Sequence, residues 1–175
     1  MSPDLEGRRV HVVMGCRVLA RGVSSFTIAC RRYDTMEADL AGTVVEHVGT
    51  HGAFLLKIGY ECAVQLDQFA VQLARAYRFR TPLNVVAYCI GGEKWSVALA
   101  TVLYHCVKGL VGVNQFDPAF PHHMCSSTWH RTCRGVCNLC QNALHSDVVS
   151  SNPGVAFAVD RFNQILLWHI GQRYI

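Results

Sequence analysis

Residues 62–80 read CAVQLDQFAVQLARAYRFR, and their spacing decides between an all-strand chain and one that mixes strands with helices. Cys62, Leu66, Phe69, Ala70, Leu73, Ala76 and Tyr77 recur at i, i+4, i+7, i+8, i+11, i+14 and i+15. That is one face of an amphipathic helix. Arg75, Arg78 and Arg80 gather toward its C-terminal end, where cations suit the negative end of the helix dipole. Pro82 stops it.

On the N-terminal side of this helix the period is shorter. Arg9–Met14 and Arg17–Ala20 alternate around Gly15, and Phe26–Cys30 is rich in β-formers. Thr43–Val48 and Ala53–Ile58 are two short apolar runs. The segment Gly49-Thr-His-Gly52 between them has the composition of a hairpin connection, with His47 and His51 as its solvent-facing flanks. These features predict a β-rich N-terminal part.

On the C-terminal side, Asn84–Ile90 predicts a short buried strand ending at Gly91-Gly92. A second amphipathic helix is expected from about Glu93 to Lys108, with Trp95, Leu99, Val102, Leu103 and Cys106 on one face and Gly109 placed to end it. Val113–Pro121 is loop-like. After Asn152-Pro153-Gly154, the residues Val155, Phe157 and Val159 alternate and Ile165–Trp168 is an apolar run, which predicts a β-hairpin turning near Asp160–Asn163. The predicted class is therefore α+β: a β-rich N-terminal part, two amphipathic helices and a C-terminal zinc-stabilised module ending in a β-hairpin. The core would span residues 1–120 and the module residues 121–175, as one domain or as a domain with an appended module.

Composition supports a packed core. Of 175 residues, 51% are apolar and only 16% are charged, with a mean hydropathy of +0.20, which argues against a disordered chain. The net charge of +4 permits a nucleic-acid or acidic partner without demanding one. The most apolar stretches, such as Val97–Leu103, fall short of a membrane span. The N-terminus, MSPDLEGRRV, has no apolar signal core before its charges. Nine cysteines is an odd count and too few for a disulfide scaffold. The expectation is an intracellular, reducing location with no membrane span. Cys16, Cys30, Cys62, Cys89 and Cys106 sit singly in apolar runs and read as core packing.

The densest chemistry lies between Cys125 and His145, where Cys125, His130, Cys133, Cys137, Cys140 and His145 fall within one short segment. A structural zinc takes four thiolate or imidazole ligands, and a C-x2-C pair lets one tight turn present two sulfurs to one ion. Cys137 and Cys140 make that pair, with Cys133 and His145 completing the tetrahedron and Cys125 and His130 in reserve. One structural Zn2+ is expected. The run Cys137-x2-Cys140-x4-His145 is similar to the first three ligands of the retroviral CCHC knuckle, but Ser150 stands where the fourth would fall. Cys133-x3-Cys137-x2-Cys140 also has the spacing of the radical-SAM iron–sulfur motif. That family has most of a large barrel after its cysteines, whereas 35 residues follow Cys140 here, and Leu139 replaces the usual aromatic. A Cys–His nucleophilic pair is a further alternative.

Arginines form the other candidate surface. Arg75, Arg78 and Arg80 interleave with Tyr77 and Phe79, a combination suited to phosphate contacts and base stacking. Arg131 and Arg134 lie inside the ligand segment, where a finger could present them to RNA or to an acidic protein. The opposing reading is a set of solvated faces countered by Asp34, Glu37, Asp39 and Glu46. No GxxxxGK[ST], HExxH or GxSxG occurs, nor a GxGxxG after a strand, so the common nucleotide, protease and hydrolase motifs are missing.

Through Cys133, Cys137, Cys140 and His145, in a small chain rich in Val, Cys and His, the sequence resembles the cysteine-rich silencing suppressors of plant RNA viruses, including the first-frame protein of sobemoviruses. The resemblance implies a viral accessory protein whose zinc finger holds a small core, which counters host RNA silencing and aids spread, in the host cytoplasm or nucleus. The expected function is zinc-dependent binding of host protein or RNA without catalysis. The alternative is a cysteine-dependent enzyme, either a viral thiol protease or a transferase.

Overall fold

The computed structural model describes residues 8–16, 26–29, 49, 51–79, 83–89, 95–108, 113–115 and 149–172. In chain order these form β1 (Arg8–Cys16), β2 (Phe26–Ala29), α1 (Gly52–Glu61), α2 (Ala63–Phe79), β3 (Leu83–Cys89), α3 (Trp95–Lys108), β4 (Val113–Gln115) and α4 (Pro153–Gly171).

The helices dominate, and α3 is the centre. Every residue from Trp95 to Val107 is buried except Tyr104, which is half-buried. A helix apolar all round must be covered on all sides, and α3 is: β1 and β3 lie against it on one side, α1 and α4 on the other. Ser96 and Thr101 are the small polar breaks in this run, and the Thr101 hydroxyl donates to the Val97 carbonyl one turn back at 2.8 Å. The Trp95 ring meets Phe54 of α1 edge-on, with centroids 5.0 Å apart.

The strands pair in the order β2-β3-β1-β4, and each pairing is parallel. β1 and β3 run in register from Val10↔Leu83 to Cys16↔Cys89. β2 follows β3 from Phe26↔Val85 to Ala29↔Tyr88, and β4 meets β1 at Arg8 and Arg9 across a bulge. Parallel neighbours require crossovers rather than tight turns; α1 and α2 lie in the chain between β2 and β3, and α3 between β3 and β4. Leu83, Val85 and Ala87, at every second position of β3, are buried.

Besides Val113–Gln115, expected as loop and found in strand β4, the sequence expectation is corrected at two places. Ala53–Ile58, expected as a strand of a hairpin, lies inside α1. His51, expected as an exposed hairpin flank, is the N-cap of that helix, its Nδ1 accepting from the Ala53 amide at 3.1 Å. The buried residues Phe54, Leu55, Ile58 and Gly59 have helical spacing; an apolar run of six residues does not show its period until its partner is known. The second correction is larger. Val155–Trp168, expected as a β-hairpin, belongs to one helix of 19 residues. Asn152 caps it by accepting from the Gly154 amide at 3.0 Å, and Pro153 opens it. Val155, Ala158, Phe162, Leu166 and His169 form its buried stripe, and the expected turn at Asp160–Asn163 is mid-helix. The α+β class with a β-rich N-terminal part and a C-terminal hairpin is thereby replaced by a helix-dominated fold with parallel strand pairing. The expected strands Arg17–Ala20 and Thr43–Val48 lie outside the described residues.

Two glycines set the packing of α1 on α4. A Cβ on Gly59 would stand 2.2 Å from the Gly154 backbone, and one on Gly154 would stand 2.4 Å from the Leu56 carbonyl oxygen. The two backbones therefore touch where any side chain would separate them. The Asn152 side-chain amide also donates to the Gly52 carbonyl at 3.1 Å, tying the two helix starts together. Further along α4, Phe162 stacks on Phe69 of α2 with ring centroids 5.3 Å apart, both fully buried. Burial of that size stabilises by about 1.5–3 kcal/mol per side chain.

Candidate functional site

The expected zinc ligands Cys133, Cys137, Cys140 and His145, and the reserves Cys125 and His130, all lie outside the described residues. So do Arg80, Arg131 and Arg134 and the pair His122-His123. Among the described residues no group of three or more His, Cys, Asp or Glu is placed to hold a metal.

Arg75 and Arg78 are described, and α2 positions them. Val71, Ala74, Arg75 and Arg78 follow one another at i, i+3, i+4 and i+7 and so share a face; with His169 of α4 they line a small recess. Its volume, about 10 Å³, is room for one water-sized group. Arg75 is exposed at its rim, whereas Arg78 is half-buried. Arg78 Nη2 donates to the backbone carbonyl of Gln172, the residue that caps α4. A cation on the last carbonyls of a helix satisfies an orphan acceptor and opposes the dipole, so this arginine fastens α4 to α2.

Sequence reasoning missed His169, along with Asp67 and Trp168 beside it. His169 is 6% exposed, with Nε2 2.9 Å from Oδ1 of Asp67 on α2, and its Nδ1 is buried without a hydrogen-bond partner among the described residues. Its position on the stripe Val155, Ala158, Phe162, Leu166, His169 would have marked it as buried, but only once the segment is read at helical period. Trp168 beside it projects outward, 59% exposed, with its ring 4.8 Å from the His169 ring, edge to face. Phe79, one turn beyond Arg75 on α2, is 66% exposed.

Two of the nine thiols are described in full, Cys62 and Cys106, and both are free and buried. Burial pushes the Cys62 thiol up to about 12, with its own backbone hydrogen bonding and Arg161 pulling weakly the other way. Cys106 is also raised, chiefly by burial and further by the nearby Cys62 sulfur. A nucleophilic or metal-binding cysteine needs the thiolate. These two are held as thiols and act as small hydrophobes.

No helix among the described residues is long and apolar enough to cross a membrane. No family model, no curated protein and no solved structure matches this chain.

Proposed function

We propose that this chain is a small zinc-stabilised binding protein, an accessory or regulatory factor without catalysis of its own, that acts by engaging host protein or RNA. The observation that carries this reading is the ligand spacing Cys133-x3-Cys137-x2-Cys140-x4-His145, which supplies four donors of the kinds a closed zinc site uses. A closed site has no open coordination position for substrate, so the metal's contribution is folding free energy. Arg131 and Arg134 lie within the same segment and would be presented with it. The resemblance to cysteine-rich silencing suppressors supports a viral setting, with suppression of host RNA silencing and aid to spread as the role.

The test is metal stoichiometry by elemental mass spectrometry on protein purified in reducing buffer, repeated for Cys→Ser and His→Ala changes from Cys125 to His145. One zinc per chain is expected, lost in Cys137→Ser and Cys140→Ser and kept in Cys125→Ser and His130→Ala. Metal-free protein, or iron with acid-labile sulfide, would overturn the reading.

A further inference from the structure

We propose that the end of the α2–α4 pair is a contact site for single-stranded RNA, with Trp168 as the stacking face for a base and Arg75 as the contact for the adjoining phosphate. This deepens the RNA arm of the proposed function and rests on that reading for its biological partner. The two residues lie on different helices, far apart in sequence. Trp168 lies against the His169 ring at 4.8 Å, and His169 and Arg75 line one recess.

The composition of this patch matches one kind of ligand. Trp168 and Phe79 are the two most exposed of the large apolar side chains in the described residues, at 59% and 66%. An exposed indole offers a flat π-face, and every nucleobase presents a face that can stack on it. Arg75 and Arg78 place positive charge at the same end, which is what a phosphodiester chain requires. The recess between them admits a single oxygen atom rather than a whole phosphate. The backbone would therefore pass over the rim at Arg75 while Arg78 stays on the Gln172 carbonyl. Asp67 is the one negative group placed beside His169 among the described contacts, and it is directed to that ring at 2.9 Å. A base paired in a duplex offers no face to Trp168, so the site selects unpaired strands.

The experiment uses the full chain and fluorescence anisotropy of a labelled oligouridine, with a duplex RNA of equal length as comparison, across a salt series. Oligouridine should bind more tightly than duplex. Trp168→Ala should weaken binding by about tenfold and Trp168→Phe by much less. Arg75→Gln should reduce the slope of log K against log salt by about 0.7. Trp168 and Arg75 are exposed, so thermal melts of these variants should match the parent and separate lost binding from lost folding. Equal affinity for duplex, or oligouridine binding that neither variant changes, would overturn the site while leaving RNA binding elsewhere on the chain. No RNA binding at all would overturn both the site and the RNA arm, leaving a protein partner.

Discussion

The Nε2 atom of His169 lies 2.9 Å from Oδ1 of Asp67, joining α4 to α2 across a separation of 102 residues. One end of this pair is buried and the other is 58% exposed, so its two halves carry unequal weight. Asp67→Asn keeps a hydrogen-bond acceptor in a solvated position and should cost no more than about 0.5 kcal/mol. His169→Ala removes a buried ring from the α2–α4 contact and should cost about 1–3 kcal/mol. Urea denaturation of the two variants measures both, and equal costs would show that the carboxylate, not the packing, holds this end.

Gly59 and Gly154 should be the most intolerant small residues in the described fold. Alanine raises helix propensity by about 1 kcal/mol over glycine, yet a methyl here would overlap the facing backbone at 2.2–2.4 Å. Backbone cannot rotate away as a side-chain end can, so α1 and α4 must separate. Gly59→Ala or Gly154→Ala should lower stability by about 1–3 kcal/mol in spite of the propensity gain. Gly171, with nothing among the described residues within 4 Å of its added Cβ, is the control and should tolerate alanine. A raised melting temperature for Gly59→Ala would refute the close crossing.

Asn152 caps α4 and bonds the Gly52 carbonyl in one side chain. Asn152→Ala loses both and should destabilise by about 1–2 kcal/mol, whereas Asn152→Asp keeps the cap and loses only the second bond. A smaller loss in the aspartate variant, read by thermal melting, is the expected order.

The buried thiols make stability sensitive to alkali. Cys62 is raised from the ordinary thiol value of 9.0 to about 12, so the folded state holds its proton more tightly than the unfolded chain. The associated stability is fully present below about pH 9 and is lost as pH rises from there toward about 12. Cys62→Ala should flatten that decline. At neutral pH Cys62 and Cys106 should resist iodoacetamide in the native protein and react on adding denaturant; rapid native alkylation of either would contradict their burial.

If the expected zinc is structural, a chelator should lower the melting temperature of the parent protein and leave that of Cys137→Ser/Cys140→Ser, already lowered, unmoved. An unchanged parent melt in excess chelator would mean that any bound metal does not stabilise the fold.

The two central helices were legible because their apolar residues repeat over several turns: Leu66, Phe69, Ala70 and Leu73 in one, Leu99, Val102, Leu103 and Cys106 in the other, although α3 is buried all round and not on the single face expected. Longer repeats leave less room for a second period. The segment Val155–Trp168 misled because Val155, Phe157 and Val159 alternate, although Phe157 is exposed and packs beside Tyr60 of α1 with ring centroids 5.1 Å apart. Alternation there records an aromatic pair on the surface, not a strand. Of the candidate site, the arginine cluster on α2 was visible from residue type, but His169, Asp67 and Trp168 were not, because nothing local to residues 168–169 points to residues 67 and 75.

Local spacing was enough to establish helices at α2 and α3, thiols in apolar surroundings at Cys62 and Cys106, and a dense set of metal-type donors from Cys125 to His145. Each depends on residue type and periodicity within one or two turns. Packing decided between strand and helix for Ala53–Ile58 and Val155–Trp168 through the close approach of Gly59 and Gly154, and the local caps at His51 and Asn152 act in the same direction. Packing also created the His169–Asp67 pair and the recess that His169 shares with Arg75, because only the docking of α4 on α2 brings groups so distant in sequence within reach.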